Sequence, residues 1–204
     1  MQVVMAFPEL LEAMDGVVLV LDPDLVVRHV GWRNWHSFWN KNGGAESFEV
    51  VGRDIAAFFS PGEVRATYRK IFSEVATRKR GHFLLDYRCD SPTLKRSMRL
   101  SVTPIDSGSE LKGLLYQSTL LSLEQRPPIS LFESLPDGAE ATVIIRICSI
   151  CAKVHWPLAN DGSNEEWIEP QDYYRRGGDE RVLLSHGFCP TCFETLKDDG
   201  DLPD

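Results

Sequence analysis

The sequence has no apolar run that approaches the roughly 20 residues a helix needs to cross a bilayer. Its first segment, MQVVMAFPELLEAMDG, lacks a basic stretch and carries acidic residues early, so we expect no secretory signal. No Ser-His-Asp pattern, His-Glu-x-x-His motif or phosphate-binding loop is recognisable. These absences predict a cytoplasmic protein without a membrane segment, and a protein that is not an enzyme of the common classes.

The composition is that of a globular protein. The chain has 204 residues, of which 43% are hydrophobic and 25% are charged, enough for one large domain or two small ones. It has five cysteines, and four of them form two Cys-x-x-Cys pairs. Because no export signal is expected, these pairs favour metal-binding or catalytic thiols over a disulfide framework.

Charge is distributed unevenly along the chain. Residues 133–204 contain 15 Asp or Glu and 6 Lys or Arg, a net charge of −9, whereas residues 1–132 have a net charge of +1. An acidic C-terminal region repels a phosphate backbone, so binding of nucleic acid is not expected there.

The first 122 residues alternate between helical and strand-like patterns. A short helix at 7–14 precedes two strand-like runs, VVLVLD and LVVRHV, and three more runs follow a longer helix that begins at Ser60 or Pro61. The longer helix has an apolar stripe formed by Val64, Tyr68, Ile71, Phe72 and Val75. This order predicts an α+β domain with five antiparallel strands and helices inserted after the second strand.

This order of elements resembles the PAS family of sensor domains over about residues 5–122. The local segments that carry the resemblance are VLDPDLVVRHV, VVGRDIAAFF and YRCDSPTLKRSMRLSVTP. The resemblance implies a domain that holds a small ligand between sheet and helices or serves as a protein–protein module. It also implies a homodimer formed through the helix before the first strand, here residues 5–14.

No cofactor is identified for this PAS-like region, and its ligand is left unknown. Three tryptophans at helical spacing, Trp32, Trp35 and Trp39, are interpreted as core residues rather than a cofactor site. The histidines of this region have no supporting ligand motif, and Cys89 is interpreted as an inert strand residue.

Prolines mark the join between two regions. Pro127-Pro128 and Pro136-Asp137-Gly138 interrupt the periodic pattern. We therefore predict a PAS-like sensor domain at 1–122, a linker at 123–140, a four-cysteine module at 141–197 and a disordered acidic tail at 198–204.

Two Cys-x-x-Cys pairs are the usual ligand set of a structural zinc site. The pairs are Cys148 with Cys151 and Cys189 with Cys192, and 37 residues separate them. This gap is longer than in the smallest zinc ribbons, so it predicts a small subdomain between the pairs. A unit of this size with little apolar mass depends on a metal for part of its stability.

Two other chemistries remain open for these thiols. Cys-Pro-Thr-Cys before a helical segment is also typical of a redox dithiol, although the 12 residues after Cys192 are too few to complete a thioredoxin-type fold. An iron–sulfur cluster is the other alternative. A c-type haem is excluded, because Ala152 and Phe193 stand where the attachment motif needs histidine.

The segment 144–197 resembles a small cysteine-rich module appended to bacterial PAS and receiver domains. It carries Cys-x-x-Cys, then a Trp and a Tyr, then Ser-His-Gly-x-Cys-Pro-x-Cys. The resemblance covers Trp167, Tyr173, Ser185, Gly187 and Pro190 besides the cysteines and His186. His186 is expected to donate a second-shell hydrogen bond or to act as an alternative ligand.

These features predict a cytoplasmic signal-sensing or adaptor protein with a structural zinc ion and a zinc-ribbon-like C-terminal domain. Its output is expected to be contact with a protein partner of a signalling pathway and with a second copy of itself. The alternatives are a zinc-ribbon regulator that binds nucleic acid and a thiol redox sensor or oxidoreductase.

Overall fold

A computed structural model of the chain describes residues 6–41, 49–133, 140–156 and 166–198. The chain forms two compact units. The first comprises Met1–Asp86 and Met98–Leu121, and the second comprises Tyr87–Ser97 and Ser122–Asp204. The predicted limits of the sensor domain, linker, four-cysteine module and acidic tail remain predictions. Nothing in the sequence indicated that residues 87–97 belong to the second unit.

The helices and strands that lie wholly or mainly in the first unit follow the predicted order. In chain order they are α1 (Phe7–Ala13), β1 (Val17–Leu21), β2 (Val27–Val30), α2 (Trp32–Lys41), a 3-10 helix (Ile55–Phe58), α3 (Glu63–Ala76), β3 (Phe83–Arg88), β4 (Leu94–Ser107) and β5 (Glu110–Gln125). The five strands form one sheet in the order β2-β1-β5-β4-β3. The predicted α+β class with a five-stranded antiparallel sheet is therefore confirmed.

The sheet of the first unit has apolar side chains on both faces at β1. All five residues of β1 are buried: α1 packs on Val18 and Val20, and on the opposite face Phe72 of α3 contacts Tyr116, the neighbour of Leu19 in the sheet. The whole predicted stripe of α3 is buried, and Phe72 contacts the rings of Phe83 and Tyr116. The stripe was a correct prediction because its 3.6-residue period is visible in the sequence.

Helix α1 is tied to the start of α2 by one carboxylate. The two oxygens of Glu12 accept hydrogen bonds from the backbone amides of Trp32, at 2.7 Å, and Arg33, at 3.0 Å. These amides lie in the first turn of α2, where no helical carbonyl is available to them. Leu11 packs against Val18 and Val20 on the sheet. The Arg33 guanidinium also donates to the carbonyl of Glu12 at 2.7 Å, so apolar packing and hydrogen bonds together hold α1.

The interpretation of the three tryptophans of α2 as core residues was wrong for Trp32. Trp35 is buried and stacks on Trp39 at 5.5 Å between ring centroids, whereas Trp32 is 38% exposed and stacks on His36. Trp32 and Trp35 lie on the same face of α2, but only the part of the helix around Trp35 packs on the core. The start of the helix, which carries Trp32, remains exposed.

The second unit contains a smaller sheet of four strands. Its elements are a 3-10 helix (Ser130–Phe132), β6 (Val143–Cys148), β7 (Val154–Trp156), β8 (Glu166–Ile168), α4 (Pro170–Arg175), β9 (Val182–Gly187) and α5 (Pro190–Asp198). The strand order is β8-β7-β6-β9, with β6 and β9 parallel and the other pairs antiparallel. Strands β7 and β8 and helix α4 occupy the gap in which a small subdomain was predicted.

The core of the second unit is built mainly from short elements. Ile145, Ile147, Val154, Ile168 and Tyr173 are buried together. Ile129 and Leu131, from the segment predicted as a linker, also pack in this core. Part of the predicted acidic tail, residues 199–204, lies outside the described residues. No helix of the described residues is long and apolar enough to cross a membrane.

Candidate metal centre

The four cysteines of the two pairs come together in the second unit. The sulfur atoms of Cys148, Cys151, Cys189 and Cys192 all lie within 4.8 Å of one another. Within the described ranges, no other group of three or more His, Cys, Asp or Glu side chains is suited to hold a metal ion. All four thiols are free of disulfide bonds.

Parallel pairing of β6 and β9 brings the two cysteine pairs to the same edge of the sheet. The register aligns Val143 with Val182 and Cys148 with Gly187. Because the strands are parallel, their carboxyl ends meet at one edge, and each strand runs directly into its Cys-x-x-Cys turn. Residues 149–181, between the end of β6 and the start of β9, are thus the crossover that a parallel pair requires.

The first turn folds tightly around its cysteines. The amide of Cys148 donates to the carbonyl of Lys153 at 2.8 Å, and the amide of Ala152 donates to the carbonyl of Cys148 at 2.9 Å. Ala152 adopts a φ of 57°, in the left-handed region that a non-glycine residue rarely occupies. This closure turns the Cys151 side chain back toward Cys148, as a shared metal ion requires.

The second turn ends in a helix. Cys189 lies directly before α5, which begins with Pro190, a residue favoured at the first helical position. The amide of Cys192 donates to the sulfur of Cys189 at 3.4 Å, and the amide of Phe193 donates to the Cys189 carbonyl at 2.9 Å. These two bonds hold the Cys189 side chain and backbone in place at the start of α5.

The spacing of the sulfurs fits a tetrahedral ion. Four sulfurs placed about 2.3 Å from one metal ion in a tetrahedron are separated from one another by about 3.8 Å. The sulfurs of Cys151 and Cys189, one from each turn, are 3.8 Å apart. The donor set is therefore compatible with a metal ion bound by four thiolates.

Proton sharing shifts the pKa values of three of the thiols in different directions. The pKa of the Cys148 thiol is held well below its usual range, because Cys148 accepts hydrogen bonds from the thiols of Cys151 and Cys192. The same sharing raises the pKa of Cys151 to about 12 and raises that of Cys192 strongly. Four thiolates this close repel one another, so they ionise together only around a positive ion.

A cluster of buried ion pairs beside the first turn was not predicted from the sequence. Arg88 pairs with Asp90 and with Glu169, the latter at 2.7 Å, and Arg126 pairs with Asp90 at 2.9 Å. The backbone carbonyl of Cys151 accepts from the Arg88 guanidinium at 3.0 Å. No local sequence pattern predicts this cluster, because its members come from three distant segments of the chain.

Two other predicted residues lie apart from the four sulfurs. His186 is in β9 opposite Ile147, its side chain is exposed, and its second-shell or ligand role stays a prediction. Cys89 is outside the group of four, and burial raises the pKa of its thiol. A raised pKa keeps Cys89 protonated, in agreement with the interpretation of an inert residue.

Comparison with known proteins gives similarities of fold only. No family model and no curated protein matches the chain. Among solved structures, the chain is similar to the PAS domain of BvgS from Bordetella pertussis, with 15% identity and a TM-score of 0.38 over 56% of this chain and 83% of that one. It is also similar to a PAS domain of an HTR-like protein from Haloarcula marismortui, with 22% identity and a TM-score of 0.33 over 56% and 93%.

A third similar structure is VqmA from Vibrio cholerae, with 15% identity and a TM-score of 0.40. The match covers 58% of this chain and 53% of that one. Because identities and TM-scores are low throughout, the description of the first unit as PAS-like rests on its strand order, β2-β1-β5-β4-β3, and on the helices between β2 and β3.

Proposed function

We propose that this protein is a non-enzymatic sensory or adaptor protein of the cytoplasm, in which a PAS-like unit is joined to a unit stabilised by zinc. The observation that carries the zinc assignment is the group of four cysteine sulfurs within 4.8 Å of one another. Four thiolates in a tetrahedron suit Zn²⁺, which has no preferred geometry of its own and no redox chemistry. In this proposal zinc would supply folding energy through Cys148, Cys151, Cys189 and Cys192.

The same ligand set argues for a structural role rather than a catalytic one. A catalytic zinc keeps an open position for water or substrate, and four cysteine ligands leave none. The proposed output is therefore contact with other proteins, namely a signalling partner and a second copy of the chain. The net charge of −9 on residues 133–204 supports protein partners over nucleic acid.

Helix α1 supports the proposal of a second copy as partner. Its side chains Phe7 and Leu10 are 45% and 44% exposed, although both are large and apolar. Leu11 and the Glu12 cap hold the helix in place on its own unit, so this apolar surface is presented in a fixed position. A fixed patch of this kind is suited to a two-fold contact in which each copy covers the same patch of the other.

The zinc assignment is tested by elemental analysis of the full chain purified without chelator. We expect one zinc per chain and four thiols that react with a maleimide only after the metal is removed. Cys148→Ser and Cys192→Ser should each abolish stoichiometric zinc binding, because three thiolates leave the tetrahedron incomplete.

Cys89→Ser is the matched control for this experiment, because Cys89 lies outside the four-sulfur group, and it should keep its zinc. If the protein contains no metal and its mass is lower by two hydrogens because Cys189 and Cys192 form a disulfide, the zinc proposal is wrong and thiol redox chemistry takes its place. Iron with visible absorption would replace the zinc proposal with an iron–sulfur cluster.

A further inference from the structure

We propose that Arg88 positions the first cysteine turn of the metal centre, and that metal binding keeps the segment that carries Arg88, residues 87–97, in its ordered conformation. The inference rests on the proposed metal site and adds that this segment depends on the metal. Residues 87–97 contain the end of β3, the turn and the beginning of β4, and they belong to the second unit.

Arg88 binds the first cysteine turn at two successive carbonyls. Its backbone amide donates to the carbonyl of Ile150 at 2.7 Å, and its guanidinium Nη1 donates to the carbonyl of Cys151 at 3.0 Å. Ile150 and Cys151 are the last two residues of the Cys-x-x-Cys turn, so these two bonds help to hold the backbone that carries the Cys151 sulfur. Outer contacts of this kind orient metal ligands in many sites.

The guanidinium of Arg88 is itself held firmly. Its side chain is 11% exposed, and its partners Asp90 and Glu169 approach it from two different segments. The side chain of Asp90 is fully buried and is shared with Arg126, which also donates to the carbonyl of Ser91 at 2.7 Å. Removal of one member of a buried ion-pair cluster is costly, because it leaves another charge buried without a partner.

The remaining hydrogen bonds extend this support along the segment. The amide of Arg126 donates to the carbonyl of Thr93 at 3.0 Å, and the amide of Ile129 donates to the carbonyl of Pro92 at 3.0 Å. The segment is thus bonded on one side to residues 126–129 and on the other side to the cysteine turn. If the turn loses its metal, the segment loses the fixed carbonyls that Arg88 binds.

The link acts in both directions. Arg88 favours the metal-bound form because it holds the carbonyls of the first cysteine turn, and the metal-bound form in turn favours the ordered segment.

A chelator competition on full-length variants tests the role of Arg88. We expect Arg88→Gln to weaken zinc binding about 10-fold, the lower end of the effect of lost outer contacts. Arg99→Gln is the matched control, because Arg99 in β4 forms a similar two-contact pair with Asp86, at 2.6 and 2.8 Å, but on an exposed surface. Arg99→Gln should leave zinc affinity unchanged, and equal affinities for the two variants would overturn the assignment.

Hydrogen exchange on the unaltered protein tests the coupling without a variant. Removal of zinc should speed exchange in residues 87–97, including the amide of Arg88, and leave α3 unchanged. Faster exchange in 140–156 and 182–198 with no change in 87–97 would overturn this inference alone. A chain that binds no zinc at all would overturn the proposed function and this inference together.

Discussion

Gly16 shows how one residue of the first unit is constrained by its surroundings. It precedes β1, has a φ of 76°, and a Cβ at this position would lie 2.2 Å from the backbone oxygen of Ser118. The left-handed backbone alone would tolerate another residue at a modest cost. The approach of a neighbouring strand makes glycine necessary here.

A pair of glycine substitutions separates these two effects. Gly108 also has a positive φ, 63°, but a Cβ there would meet nothing within 4 Å. Gly108→Ala should lower the free energy of unfolding by about 1 kcal/mol, and Gly16→Ala by about 3 kcal/mol or more, because it adds a backbone clash to the strain. Urea unfolding of the two variants measures the difference, and equal losses would contradict it.

Residues of the metal centre show a similar dependence on neighbours. The pKa of Cys148 is lowered and that of Cys151 is raised by the same shared protons, although both belong to one Cys-x-x-Cys pair. The sequence motif identifies the sulfurs but does not reveal which of them is the better acceptor. That difference comes first from the hydrogen bond between the Cys148 and Cys151 thiols, and Cys192 of the second turn lowers the pKa of Cys148 further.

At the scale of elements, α1 combines a buried side and an exposed side within seven residues. Leu11 is buried against the sheet, whereas Phe7 and Leu10 stay largely exposed, although the ring of Phe7 contacts His29 of β2. The periodic apolar pattern of α1 predicted a helix, but it did not indicate which apolar residues face the protein's own core. Only the packing of Leu11 on Val18 and Val20 decides this.

The proposed dimer is tested at this element. Leu10→Asp should convert a dimer into a monomer, because it places a charge in an apolar contact between copies. Val51→Asp is the control, since Val51 is an exposed apolar residue of a turn outside α1. Sedimentation velocity measures the mass of each variant, and an unaltered protein that stays monomeric at every concentration would rule out the second copy as partner.

At the scale of the whole molecule, the two units differ in what stabilises them. The first has a core in which long elements such as α3 cover a five-stranded sheet. The second has three-residue strands, β7 and β8, and a six-residue helix, α4, around a small core. Small units of this kind commonly need a metal to reach ordinary stability.

Removal of metal should therefore affect the two units unequally. In calorimetry of the full chain, a chelator should lower the transition temperature of one unfolding step and leave the other near its original value. An ion present at 1,000 times its dissociation constant stabilises the form that binds it by about 4 kcal/mol, which is a large share of the stability of a small unit. Cys148→Ser should already show the lower temperature, with no further effect of chelator, and an equal shift of both steps would argue against a local role of the metal.

The sequence by itself determined the features that local patterns encode. The stripe of α3 from Val64 to Val75 follows a period of 3.6 residues, and β1 is a continuous apolar run, VVLVL; both signals are independent of distant partners. The two Cys-x-x-Cys pairs are local in the same sense, because two ligands three residues apart fit one short turn.

Only the tertiary structure decided how distant segments meet. The parallel pairing that aligns Cys148 with Gly187, the contact of Arg88 with Cys151 and Glu169, and the exposure of Trp32 have no local signature. The physical reason is that each of these features depends on which other segment of the chain packs against the residues concerned. Burial, ion pairing and strand register are properties of the two segments that meet, and a single segment of sequence specifies only its own half of each contact.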